Sequence, residues 1–216
     1  MNAEELKIFI PGPSGKLETQ IIRRKDIQNK DIGVIICHPH PQYGGTMAFP
    51  VVRIIYKGFG NLGYTSLRFN FRGVGKSEGT HGNGAGERED LISVCNFMLN
   101  ENFGVKKLLI IGYSFGATIG ASIADEFDEI IGYVAISYPF SLIPQFISQA
   151  YVNKPKFFIM GENDDFTSLP ILKKEYEKMP EPKDIRIFKG IDHFWSESEE
   201  ILANAIFEWF KKNFLK

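Results

Sequence analysis

The sequence predicts an α/β protein, a mostly parallel sheet with an antiparallel N-terminal start and helices on both faces. Three observations predict it. Short apolar runs alternate with stretches of helical spacing along most of the chain, the order of a sheet built from β–α units. "DIGVIICHP" is apolar without a break and ends in a turn, which suits a strand buried on both faces. Only the first two runs follow each other directly.

Those two runs, residues 5–10 and 16–23, are joined by "PGPSG" and read as an antiparallel hairpin or meander. After "DIGVIICHP", "MAFPVVRIIYKGFGNLG" has helical spacing and ends in glycines. "TSLRFNFRG" alternates as a strand. "GEREDLISVCNFMLNEN" is an amphipathic helix with acids in its first turn, where the helix dipole favours them. "KKLLIIGYS", "IIGYVAISYP", "PKFFIMGEND" and "KDIRIFKGID" are strands. "FGATIGASIADEF", "SLIPQFISQAYVN", "SLPILKKEYEKMP" and "SESEEILANAIFEWFKKNF" are the helices that follow them.

A chain of 216 residues suits one domain, 1–216. Its 44% hydrophobic and 24% charged residues are an ordinary globular balance. The net charge of −1 and the absence of a long basic run give no nucleic-acid footprint. Cys37 and Cys95 are too few for a disulfide scaffold, so a reducing, cytoplasmic compartment is expected. "MNAEELKIFI" has acids where a signal peptide needs a basic start. The longest uncharged apolar stretch, Leu108 to Ala124, is shorter than the about 20 residues of a spanning helix, so no membrane span is expected. Nothing in the sequence indicates an oligomeric state.

In such sheets functional residues sit on loops at the carboxyl ends of strands. "GYSFG", Gly112–Gly116, lies where "KKLLIIGY" ends and a helix of small residues begins. G-x-S-x-G in that context is a nucleophile elbow. The bend strains the serine backbone, and glycines two residues to either side remove clashing side chains. Ser114 Oγ is thereby held at the rim, beside a helix N-terminus that stabilises negative charge. The pattern alone also fits an ordinary turn; the strand–turn–helix setting gives it meaning.

A serine nucleophile needs a base. After an elbow of this type the acid and then the histidine follow along the chain. His193, in "GIDHFW", is the only histidine after Ser114 and lies just past the final expected strand. "MGENDDFTS" offers Glu162, Asp164 and Asp165 on the preceding strand-end loop. Asp164 is favoured because G-x-x-D sets its carboxylate just past the strand end; Asp165 is the fallback. The acid would orient the imidazole and stabilise its protonated form.

"CHPHPQYGG" follows an earlier strand. Acyl transfer needs donors aimed at the developing oxyanion. Phe115 N–H, next after the nucleophile, is one. The second belongs to this loop. Pro39 and Pro41 have no N–H, which leaves His40 N–H as the candidate and Gln42 N–H as the alternative. Gly44 and Gly45 allow close approach. A metal pair at His38 and His40 is the rival reading, but no Cys/His cluster offers a third ligand nearby, so no metal is expected. Cys37 reads as strand packing. "GVGKSEG" contains G-K-S, yet a phosphate loop needs a glycine where Asn70 stands and a helix at Lys76. No cofactor is therefore expected. Arg72 has Glu87 or Asp90 as structural partners.

Together, "HPHPQYGGTM", "LRFNFRGVGKSEG", "GAGERED", "GYSFGA" and "DHFW" resemble the α/β-hydrolases, and within them the small lid-less bacterial serine hydrolases related to dienelactone hydrolases. The resemblance runs in order from about Gly33 to Trp195. It implies triad roles for Ser114, Asp164 and His193, and parallel strands after an antiparallel start. Two departures stand out. Asn70 replaces an aspartate that many relatives carry, and Trp195 replaces the second aromatic of a closing HFF.

The expected activity is hydrolysis of a small-molecule carboxylic ester or thioester through an acyl-enzyme. A catalytically silent hydrolase fold used for binding is the alternative. Amide, peroxide and dienelactone-type reactions stay open, since one fold hosts many chemistries. "SYPFSLIPQFISQAYVN" is too short for a large lid. Tyr43, Phe140 and Trp195, with Phe146, are candidate pocket walls, and core packing is the competing role for these aromatics.

Overall fold

The computed structural model describes residues 3–24, 31–100 and 103–215. Eight strands form one sheet: β1 (Ala3–Gly12), β2 (Gly15–Arg24), β3 (Ile32–Cys37), β4 (Thr65–Phe69), β5 (Lys107–Tyr113), β6 (Ile130–Ile136), β7 (Lys156–Asn163) and β8 (Lys183–Asp192). Their order is β1-β2-β4-β3-β5-β6-β7-β8. β1 pairs with β2 and β2 with β4 antiparallel, and all the other neighbours are parallel. The first hairpin closes at Gly12 and Gly15, where Gly15 takes the left-handed φ of 118°.

Among the described residues five α-helices flank the sheet: α1 (Pro50–Asn61), α2 (Ala85–Asn100), α3 (Phe115–Ser122), α4 (Leu169–Lys178) and α5 (Glu199–Phe214). Because strand side chains alternate between faces, Val34 and Ile36 of β3 point to one core and Ile35 to the other. Val51, Ile55 and Phe59 of α1 share the first core with Leu202, Ile206 and Phe210 of α5. Leu91 and Val94 of α2, Ile119 of α3 and Leu172 of α4 fill the second. Each such side chain contributes about 1.5–3 kcal/mol by leaving water. The expected helix at "SLIPQFISQAYVN" is instead a 3-10 helix, Pro144–Ala150, too short to form a lid. The last two residues of the expected helix ending at Asn102 lie outside the described residues. Among the described residues no helix is long and apolar enough to cross a membrane.

The loops after β3 and β4 are locked together. His38 is fully buried. Its Nδ1–H donates to the Pro39 carbonyl at 2.6 Å, and its Nε2 accepts from the Phe71 N–H at 3.1 Å. Both ring nitrogens therefore serve the backbone, and His38 has no lone pair left for a metal. Asn70 adds a second tie, accepting from Met47 N–H and donating to Glu18 Oε2, each at 2.8 Å. A carboxylate at position 70 could not donate and would repel Glu18, which accounts for asparagine in this chain. Arg72 chooses Asp90, with Nη2 2.7 Å from Oδ1; Glu87 has other partners.

Burial pushes the His38 pKa down from 6.5 to about 4. The folded protein thus keeps His38 neutral where the unfolded chain takes up a proton. The stability this contributes is complete above pH 6.5 and is lost as pH falls toward 4, in total about 3 kcal/mol. In 15N-histidine NMR spectra at pH 5, His38 is expected to remain the neutral Nδ1–H tautomer. A His38 that titrates near pH 6.5 contradicts this account.

Candidate active site

Ser114 stands between β5 and α3 with φ 54° and ψ −120°. This is a left-handed conformation that costs a non-glycine residue about 1–3 kcal/mol. The surroundings impose it. Ser114 N–H donates to the Ile136 carbonyl of β6 at 2.8 Å. A Cβ at Gly112 would lie 2.2 Å from the Gly116 carbonyl oxygen, and one at Gly116 would lie 2.5 Å from the Cys37 carbonyl oxygen. Only glycine at both positions lets the strand turn into the helix this tightly. The bend leaves the serine side chain at the carboxyl rim of the sheet.

His193 and Asp164 reach the same rim from the ends of β8 and β7. His193 Nε2 lies 3.0 Å from Ser114 Oγ. Its Nδ1 lies 2.9 Å from each carboxylate oxygen of Asp164. A carboxylate can only accept, so Nδ1 carries the proton and Nε2 offers its lone pair to the serine hydroxyl. The Asp164 carboxylate is fully buried, and its Oδ1 also accepts from Phe166 N–H and Thr167 N–H. Asp165 is exposed, and Glu162 accepts from the Gly190 N–H, so neither takes Asp164's place beside His193. A chain of hydrogen bonds of this kind can draw the proton from Ser114 and stabilise the resulting imidazolium.

Two residues that sequence reasoning missed hold His193 in place. The Tyr113 hydroxyl donates to the His193 carbonyl at 2.7 Å. Burial, and then the charges of Asp164 and Asp192, push the Tyr113 pKa up, so it stays a donor. Ser137, at φ 49°, accepts from the indole N–H of Trp195 at 3.1 Å. Trp195 is fully buried, with its ring against Phe188, and is an anchor for the histidine loop, not a pocket wall. Phe140 is likewise buried, packed on Tyr138 and Phe158. Phe146 also lies in the core. Tyr43 alone of the expected walls is open, 82% exposed, with its ring on His40.

The loop after β3 lies beside β5, where Cys37 pairs with Gly112. Gln42 N–H is taken by His40 Nδ1 at 3.2 Å. His40 N–H and Phe115 N–H donate to no acceptor among the described residues. Of the two loop donors considered, His40 is thus the one left available. Its ring packs on Phe115 and on His81, which sequence reasoning did not single out. Burial and then His81 lower the His40 pKa. His81 Nδ1 lies 2.8 Å from Oε1 of the fully buried Glu87. Glu87 in turn accepts from the Gly82 and Gly84 N–H groups, each at 2.8 Å, and so shapes the loop before α2.

Comparison with known proteins agrees with this architecture. Residues 81–210 match the model of the dienelactone hydrolase family. A protein of Rickettsia prowazekii is 34% identical over 207 residues, covering 93% of this chain and 86% of that one. Among solved structures, an alpha-beta serine hydrolase homologue from Coxiella burnetii is 32% identical, with a TM-score of 0.86 over 94% of this chain and 96% of that one. A serine hydrolase without lid from Xanthomonas campestris is 25% identical, again with a TM-score of 0.86, over 98% and 96% of the two chains. With the motifs and the eight-stranded sheet, these matches establish that the chain belongs to the dienelactone hydrolase family and has the lid-less α/β-hydrolase fold.

Proposed function

We propose that the protein is a single-domain cytoplasmic serine hydrolase that cleaves small carboxylic esters or thioesters through an acyl-enzyme. The observation that carries this reading is the unbroken line from Ser114 Oγ through His193 to Asp164, with gaps of 3.0 Å and 2.9 Å. His193 Nε2 takes the proton as Ser114 Oγ attacks the acyl carbon. Phe115 N–H and His40 N–H receive the charge that develops on the carbonyl oxygen. His193 returns the proton to the leaving oxygen or sulfur, and the alcohol or thiol departs. Water, deprotonated by the same imidazole, then attacks the acyl-enzyme and restores the serine. This chain's own residues supply every proton transfer in the cycle.

A fluorophosphonate probe is expected to label the wild-type protein, and Ser114→Ala is expected to abolish labelling and lower esterase kcat by about 10⁴-fold or more. A folded wild-type protein that resists the probe would mean that the fold serves binding instead.

The role of His40 separates cleanly into backbone and side chain. Its φ of −57° already suits proline. His40→Pro therefore removes the N–H without changing φ at that residue and is expected to lower kcat by about 10²–10³-fold. His40→Ala keeps the N–H and is expected to lose less than about tenfold. Equal losses in the two variants, read with one p-nitrophenyl ester, would assign the effect to the imidazole.

A further inference from the structure

Two large rings stand in water beside His193. Phe166 is 58% exposed and Phe194 51%. Scattered exposed apolar side chains are ordinary on protein surfaces. These two are not scattered. They meet edge to face, with centroids 6.0 Å apart at 86°. Each also touches the His193 imidazole, Phe166 at 4.6 Å and Phe194 at 5.7 Å.

Both rings are held on built turns. Asp164 Oδ1 accepts from Phe166 N–H at 3.0 Å and Thr167 N–H at 2.9 Å. Asp192 Oδ1 accepts from Phe194 N–H at 2.9 Å and Trp195 N–H at 3.2 Å. Each turn is pinned from beneath, by the Thr167 hydroxyl on the Tyr138 carbonyl and by the Trp195 indole on Ser137. Backbone order of this kind lowers the entropy lost when a ligand settles on the rings.

The part of a substrate that meets the rings follows from the path of the proton. His193 Nε2 hands its proton to the leaving atom, so the leaving group lies against the imidazole. The oxyanion donors belong to the loops after β3 and β5, whereas Asp164, Phe166, His193 and Phe194 follow β7 and β8. In the sheet β3 lies on one side of β5, and β7 and β8 lie on the other. The rings are thus on the leaving-group side of Ser114. Resting on the serine-hydrolase reading above, we propose that Phe166 and Phe194 form the leaving-group subsite and select esters and thioesters whose alcohol or thiol is aromatic or bulky and apolar. The acyl–oxygen bond of an ester, or the acyl–sulfur bond of a thioester, breaks as the Ser114 Oγ–acyl bond forms, and the departing group leaves as a neutral phenol, alcohol or thiol carrying the proton that His193 took from Ser114.

The test uses phenyl acetate and 2-naphthyl acetate. Their acyl groups are identical and their phenols are of similar acidity, so mainly the apolar area of the leaving group differs. The wild type is expected to prefer the naphthyl ester in kcat/KM by about tenfold. In the Phe166→Ala, Phe194→Ala double variant the preference is expected to fall to about one. The rate of deacylation, measured separately, is expected to stay within about twofold, because that step needs His193 but the substrate's alcohol or thiol has already departed and Ser114 Oγ is the group expelled. A wild type without the preference, or a double variant that retains it, overturns the proposal. So does a parallel loss of deacylation, which would mean that the rings only hold the imidazole. It is also overturned if the rings cover a second copy of the chain, seen as a dimer that the double variant dissociates while the naphthyl preference persists. A wild type that forms no acetyl-enzyme at all is a separate result, and brings down the serine-hydrolase reading itself.

Discussion

One backbone bend governs the rest of the site. Ser114 sits in a left-handed conformation that an isolated serine would leave. It stays because strand and helix on either side are buried, because its N–H is bonded to β6, and because Gly112 and Gly116 lack the Cβ that would run into neighbouring backbone. If that bend relaxed, Oγ would withdraw from the rim and lose its 3.0 Å contact with His193 Nε2. The small residues at the start of α3 belong to the same constraint, since they let the helix lie close against β5 and the end of β3.

The second constraint is distance across the sheet. β8 is separated from β5 by two intervening strands, so at about 4.8 Å per step its end lies about 14 Å from the serine. His193 can reach Ser114 only if its loop leans back over β6 and β7. The observed anchors serve that end. Trp195, at φ 59°, is driven into the core and bonded to Ser137, while Tyr113, the residue before Ser114, holds the His193 carbonyl. Asp164, from the strand in between, bonds both the imidazole and its own turn. The positions of Asp164, His193 and the exposed rings are therefore coupled through a few shared hydrogen bonds.

Much of this was legible in the sequence, for physical reasons. A glycine-flanked serine at a strand-to-helix turn, a single later histidine and an acid just past a strand end are local patterns. Parallel topology carries all three to one rim, and the structure brings Ser114, His193 and Asp164 within hydrogen-bonding distance. What stayed hidden depends on contacts between distant segments. Nothing local distinguishes the Tyr113 hydroxyl, whose partner lies 80 residues away. Trp195 looked like a pocket wall because aromatics suit both pockets and cores, and only the fold turns it inward. Phe166 and Phe194 did leave a signal, an aspartate two residues ahead of each ring, but turns of that kind are common. The helix expected near Gln145 became a 3-10 helix that begins at Pro144 and spans only two turns.

The His38 and His40 pair shows how similar residues on one loop divide their tasks. His38 is consumed by the backbone and fixes the loop; His40 caps the following turn and leaves its own N–H unclaimed. The central claim is that this N–H and that of Phe115 face a reacting atom bonded to Ser114. A crystal structure of the protein after reaction with a small alkyl phosphonate tests it most directly. The account predicts phosphorus bonded to Ser114 Oγ, with the phosphonyl oxygen about 2.7–3.1 Å from both nitrogens. Phosphorus on another residue, or an oxygen turned away from the two N–H groups, would contradict it.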